Sequence, residues 1–191
     1  MSNKKCRLFR IWIVSGPSGS GKTTLCEAVL KDKAFKKRLL KSVSVTTRAL
    51  RPGEKEGRDY RHVSQKKFLS LIRQKALLEH EKIFGSYYGT PKQIIRDAQA
   101  AGKDALLCVD VKGAQTIRKF FGKKAVSIFI TTPHLKTLSE RLKKRSTEDK
   151  KEIEKRLKRV KIELSYRKKY DHVVVNDRFD KALKKLKSLL T

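Results

Sequence analysis

Cysteine is scarce in this 191-residue chain, which has only Cys6, Cys26 and Cys108. An odd count without metal-ligand spacing excludes a disulfide framework and a zinc site, and fits reduced thiols in a cytoplasm. Long apolar runs are missing too. No stretch approaches the roughly 20 residues of a membrane span, and the apolar run near the N-terminus is interrupted by Arg10, so it reads as a core strand and not a leader. There is no internal repeat or low-complexity linker. With 38% hydrophobic residues the chain is expected to form one compact domain, a monomer or weak dimer.

Acidic side chains are the other shortage. Nineteen Asp and Glu stand against 49 Lys and Arg, a net charge of +30. Residues 1–134 hold 10 acidic and 29 basic side chains, and residues 135–191 hold 9 and 20, so the surplus is spread along the whole chain. A dedicated nucleic-acid surface would concentrate it on one element. A diffuse excess instead attracts polyanions non-specifically and releases them as salt is added. Even the densest run, 33–41, reads as a solvated helix end and loop.

What the chain does carry is a phosphate-binding turn. Residues 16–23 read Gly-Pro-Ser-Gly-Ser-Gly-Lys-Thr, a complete G-x-x-x-x-G-K-[ST] string directly after the apolar run 11–14. Its glycines let successive backbone N–H groups turn inward around phosphate oxygens, and the helix that starts at Gly21 adds its positive end. In this reading Gly16, Pro17, Ser18, Gly19, Ser20, Gly21, Lys22, Thr23 and Thr24 surround a nucleoside triphosphate. Lys22 reaches its β- and γ-phosphates, and the Thr23 hydroxyl holds Mg²⁺. Leu25, Ala28 and Val29 give the following helix a buried stripe.

Apolar β-rich runs at 11–14, 43–45, 105–109, 126–130 and 173–175 alternate with helical patterns at about 21–33, 112–121, 135–145, 148–169 and 178–190. This order describes an α/β fold, a parallel sheet flanked by helices. Two stretches interrupt it. Residues 44–90 hold turn signals, a short helix near 64–73 and β-like pieces, which suggests an inserted lobe. Residues 135–160 form a strongly charged helical pair around Ser146-Thr147, with Thr147 a candidate helix cap.

The string Ser44-Val45-Thr46-Thr47-Arg48-Ala49-Leu50-Arg51-Pro52-Gly53-Glu54, followed by Gly57-Arg58-Asp59-Tyr60, resembles the signature of guanylate kinases. Glu79 and Gly85-Ser86-Tyr87-Tyr88-Gly89-Thr90 continue the likeness in register, and it runs from about residue 10 to the C-terminus. The resemblance implies a P-loop NTPase fold with a core near 8–43, 91–134 and 161–191, a GMP-binding lobe near 44–90 and a helical lid near 135–160. It implies transfer of the ATP γ-phosphoryl group to GMP, and to dGMP, giving ADP and GDP with Mg²⁺ required, in purine nucleotide metabolism.

The residues make chemical sense in those roles. A nucleoside monophosphate carries nearly two negative charges and must be brought against another polyanion. Arg48 and Arg51 can fork onto its phosphate oxygens, and the resemblance adds the hydroxyls of Tyr60 and Tyr88. Guanine presents N1–H and N2–H₂ donors on one edge, which one carboxylate accepts together, whereas adenine offers an acceptor at N1. Glu79 is the candidate for that contact, and Glu81, on the same strand face, its solvent-facing neighbour. The family pattern also places Ser44 on base or phosphate, Gly89 in the GMP site, Thr90 where a small hydroxyl would donate to guanine O6, and Asp110 near the nucleotide or Mg²⁺. Thr90 also fits a helix N-cap before Pro91.

On the donor side, Arg141 and Arg145 share a helix face, and Arg156 matches a third lid arginine of the family. Closure would bring them over the transferring group and expel water. Asn176, at a strand's C-terminal end, stands where the family approaches the adenine; on its own it is a turn residue. The chain departs from the family at Cys108, where an aspartate is usual two positions before Asp110, which puts Mg²⁺ handling in question unless the thiol is plain strand core. Two other classes remain alternatives. A phosphopeptide-binding scaffold domain is opposed by the intact Gly21-Lys22-Thr23 together with Arg145, and a nucleic-acid binder has no recognition motif in its favour.

Overall fold

The computed structural model describes residues 8–145 and 150–191. Its centre is a five-stranded parallel sheet of β1 (Ile11–Ser15), β2 (Leu39–Lys41), β7 (Asp104–Cys108), β8 (Ala125–Thr131) and β9 (His172–Val175), in the order β2-β7-β1-β8-β9. Strand β1 is buried throughout, which explains why it reads as an unbroken apolar run and not as an alternation. Trp12 and Val14 face a cluster with Leu25, Cys26 and Val29 of α1 (Lys22–Lys31) and Leu186 of α8 (Phe179–Leu189). Ile11 and Ile13 face the opposite cluster, with Ile94 of α4 (Gln93–Ala100) and Ala114 and Ile117 of α5 (Val111–Phe121). Asp104 is buried at the sheet's lower end, where it accepts from Trp12 Nε1 at 3.1 Å and from the Arg10 N–H at 3.0 Å.

Helix α1 ends at Lys31, two residues before the expected boundary, because Asp32 starts a new helix. Its carboxylate accepts from the Ala34 N–H at 3.0 Å and caps α2 (Lys33–Arg38). The stretch 33–41 is therefore a helix and the edge strand β2, not a solvated loop. Phe35 and Leu39, both buried, anchor it to the core beneath its exposed lysines. The run 43–45 moves accordingly. As β3 (Ser44–Thr46) it leaves the parallel sheet for a second sheet with β4 (Tyr60–His62), β5 (Leu77–Ile83) and β6 (Ser86–Pro91), in the order β4-β3-β6-β5. There β3 runs parallel to β4 and antiparallel to β6. Phe68 of α3 (Gln65–Arg73), with Val45 and Leu77, closes a small core of its own under this sheet.

Helices α6 (Leu135–Arg145) and α7 (Lys150–Ser165) pack through Leu138 and Val160, and a 3₁₀ turn, Tyr166–Lys169, replaces the last part of the expected long helix. The proposed cap Thr147 lies outside the described residues.

Candidate active site

The cleft between the two sheets is open to solvent, and its walls come from four parts of the chain. The phosphate loop supplies Gly16, Ser18, Lys22 and Thr23, and the second sheet with its loop supplies Ser44, Arg51, Tyr60, Glu79, Tyr88 and Gly89. Cys108 and Asp110 come from the end of β7, and Arg156 from α7. Residues more than 100 positions apart thus face one cleft.

The loop is shaped by its own backbone and by one distant side chain. Gly16 has φ +143°, and a Cβ there would run into the carbonyl of Ile130, so no other residue fits. Gly19 and Ser20 are buried behind the loop, and the Pro17 carbonyl accepts both the Ser20 N–H at 3.2 Å and Lys22 Nζ at 3.3 Å. The Lys22 ammonium is therefore parked on its own loop, beside the space where phosphates would lie. Thr23 and Thr24 are exposed at the start of α1.

Asn176 has a task the sequence did not reveal. It is buried, and its Nδ2 donates to the Ser20 carbonyl at 2.8 Å, so its amide fixes the loop from below instead of lying open to a base. Arg141 joins the same junction, reaching the Gly19 and Asn176 carbonyls at 3.5 Å each. The side chain of Arg145 lies outside the described residues.

On the facing wall, Glu79 is buried on β5. Loss of hydration pushes its carboxyl up to about 7, against the opposing pull of Thr90, whose hydroxyl donates to Oε1 at 2.5 Å. Gly113 on α5 leaves room for the other oxygen, Oε2. A glycine inside a helical run costs about 1 kcal/mol relative to alanine, and that misplaced residue was the available signal for the contact. Thr90 belongs to β6, and the N-cap of α4 is Lys92, so the alternative reading of Thr90 as a helix cap is corrected. Glu81 is half-buried and pairs with Lys112 at 3.8 Å.

Tyr60 and Tyr88 stack edge to face, 6.0 Å between centroids, and burial pushes the Tyr60 phenol well up. Arg51 lines the cleft, but Arg48 does not. The Arg48 fork is taken by Glu54, with Nη2 at 2.8 and 2.9 Å from its two oxygens, and the guanidinium carbon lies 5.5 Å from the Tyr60 ring centroid. Glu54 also accepts from the Arg51 N–H at 3.0 Å, so one carboxylate ties Arg48 and Arg51 into the same loop.

Asp110 caps α5, its Oδ1 accepting from the Lys112 and Gly113 N–H groups at 2.7 and 3.1 Å. Cys108 lines the cleft while packing against the core cluster, its sulfur 3.9 Å from Thr23 Oγ1. A hydrogen bond from Cys26, and then the charge of Lys22, hold its thiol below the usual range.

A family model described as guanylate kinase matches residues 9–191. The chain belongs to the guanylate kinase family. It is 41% identical over 178 residues to a guanylate kinase of Wolbachia pipientis wMel, covering 93% of this chain and 87% of that one. It is 43% identical over 178 residues to one from Desulfitobacterium hafniense (strain Y51), again covering 93% and 87%. Among solved structures, the guanylate kinase from Anaplasma phagocytophilum superposes with a TM-score of 0.79 at 33% identity, over 96% of this chain and 85% of that one. The guanylate kinase reading of the sequence and the α/β fold with a parallel sheet are thereby established, and the protein is a nucleoside monophosphate kinase.

Proposed function

We propose that this guanylate kinase family member transfers the γ-phosphoryl group of ATP to GMP and dGMP, with Mg²⁺, in the cytoplasm. The observation that carries the choice of substrate is the buried Glu79 carboxylate, held by Thr90 across one cleft from the phosphate loop. A carboxylate there accepts both donors of the guanine edge and repels the N1 acceptor of adenine. A site built on such specific polar partners discriminates by about 10⁴-fold or more.

The reaction asks for alignment and charge neutralisation, because the attacking phosphate oxygen is already largely ionised near neutral pH. Lys22 would leave the Pro17 carbonyl for the β- and γ-phosphates. Arg51, Tyr60 and Tyr88 would hold the monophosphate, joined by Arg48 once its fork is released from Glu54. Arg141, Arg145 and Arg156 would counter charge on the transferring group. The donor set suits Mg²⁺ that arrives with the nucleotide: Thr23 offers a hard oxygen, and among the described residues no cluster of three or more ligating side chains could hold a metal by itself. Thr23 would hold the metal, which would supply neutralisation of phosphate charge.

No helix among the described residues is long and apolar enough to cross a membrane. The +30 charge supports a secondary, salt-sensitive attraction to polyanions. A coupled assay of GMP, AMP, CMP and UMP with ATP, with and without Mg²⁺, tests the whole reading. GMP should be turned over far faster than the others, and equal rates with AMP would refute it.

A further inference from the structure

Helix α7 carries a line of contacts that the roles above leave unused. At one end Glu163, buried, accepts from the Ser18 N–H of the phosphate loop through Oε2 at 3.1 Å, and from Arg159 Nε through Oε1 at 2.9 Å. At the other, the guanidinium carbons of Arg156 and Arg159 lie 5.7 and 5.9 Å from the centroid of the Phe84 ring. Phe84 is at the tip of the β5–β6 hairpin, with φ +48°. A single helix therefore touches the phosphate loop and the second sheet at once.

The choice of residue at this tip is unfavourable locally. A bulky side chain in left-handed backbone is strained where glycine or asparagine would be relaxed, and the ring is 47% exposed, so hydrophobic burial does not account for it. What the ring does offer is a π-face. An aromatic face attracts a guanidinium without neutralising it and without occupying its N–H donors. A carboxylate in the same place would do both, and would repel the phosphates.

We infer that Phe84 is a positioning residue for phosphoryl transfer, its ring holding Arg156 and Arg159 so that α7, anchored to the phosphate loop through Glu163, presents Arg156 to the transferring group. Arg156 and Phe84 both line the cleft, and Ile83 beside Phe84 does too. The inference rests on the proposed reaction, and its test separates the two.

The full chain would be prepared as Phe84→Leu, Phe84→Trp, Arg156→Lys and the Phe84→Leu/Arg156→Lys double variant, and assayed with ATP and GMP alongside thermal melts. Leucine keeps apolar bulk but removes the π-face, and should lower kcat by about tenfold, with the KM for ATP and the melting temperature little changed. Tryptophan should keep most of the activity. Because Phe84 acts through Arg156, the double variant should be no slower than Arg156→Lys alone. Wild-type kcat in Phe84→Leu, equal loss in the Leu and Trp variants, or additive losses in the double variant would each overturn the inference while leaving the reaction standing. A wild-type protein that forms no GDP from GMP would remove both.

Discussion

Gly113 on α5 leaves the space that the Glu79 carboxylate fills, since a Cβ at position 113 would stand 2.6 Å from Glu79 Oε2 and 2.9 Å from its carboxyl carbon. Glycine is kept inside a helix here against its propensity. Gly113→Ala should therefore favour the isolated helix by at most about 1 kcal/mol while displacing Glu79 from the cleft. The expected result is a KM for GMP raised by about tenfold or more with the KM for ATP unchanged, measured by varying each nucleotide separately.

The raised carboxyl of Glu79 makes recognition of guanine pH-dependent. Only the ionised form accepts both base donors, so GMP binding should tighten as pH rises through about 7. The phosphate of GMP titrates at about 6 as well, which makes Glu79→Gln the needed control. That variant should lose the step near 7 and the preference for GMP over AMP. Stability runs the other way. With the folded value raised above 4.5, the wild type binds more protons than its unfolded chain between those limits, so its stability is greatest below 4.5 and falls by up to about 3 kcal/mol as pH rises through 7. Melting temperatures of the two proteins without nucleotide should diverge across that window, in favour of the glutamine variant.

Lys22 contributes little to the fold, its side chain making one 3.3 Å bond, to the Pro17 carbonyl, among the described residues. Lys22→Ala should leave the melting temperature within a few degrees of the wild type and lower turnover by orders of magnitude. A comparable rate in both proteins would remove Lys22 from the chemistry.

Glu54 occupies the Arg48 fork and the Arg51 N–H in the same loop. Its carboxyl is held below the usual carboxylate range by Arg48 against the cost of burial. Glu54→Ala should free the Arg48 fork but loosen the loop that carries Arg51, the loosening outweighing the release and raising the KM for GMP more than it lowers kcat. Isothermal titration with GMP checks the binding part directly.

Cys108 stands 3.9 Å from Thr23 Oγ1, where the family usually has an aspartate. A hard carboxylate suits the water shell of Mg²⁺ better than a thiol does. Cys108→Asp should lower the Mg²⁺ concentration that gives half-maximal activity, and metal titrations at fixed ATP measure it.

What could be read in advance follows from how local each signal is. The phosphate loop was legible because its spacing, its preceding strand and its following helix all lie within some 20 consecutive residues. The strands 105–109 and 126–130 were legible because burial on both faces leaves a continuous apolar run, and 173–175 because three β-branched valines stand in a row, although Val175 is exposed on the edge strand. The stretch 33–41 was misread because two buried anchors, Phe35 and Leu39, are outnumbered by lysine and arginine. The run 43–45 is correctly a strand, but which sheet takes it depends on β2 and β6, its competitor and its partner.

The order of residues alone determined that this chain makes a phosphate-binding turn, a parallel α/β core and a guanylate kinase signature, because each of these is written in short spacings and apolar periods. Only the tertiary structure decided that Asn176 fastens the loop, that Gly113 makes room for Glu79, that Glu54 holds Arg48, and that Phe84 meets α7. Those pairs are 34 to 156 positions apart, Glu54 and Arg48 excepted. Contacts at such separations leave no periodic trace in a sequence, since they arise when packed elements bring side chains together, and that packing is a property of the whole core.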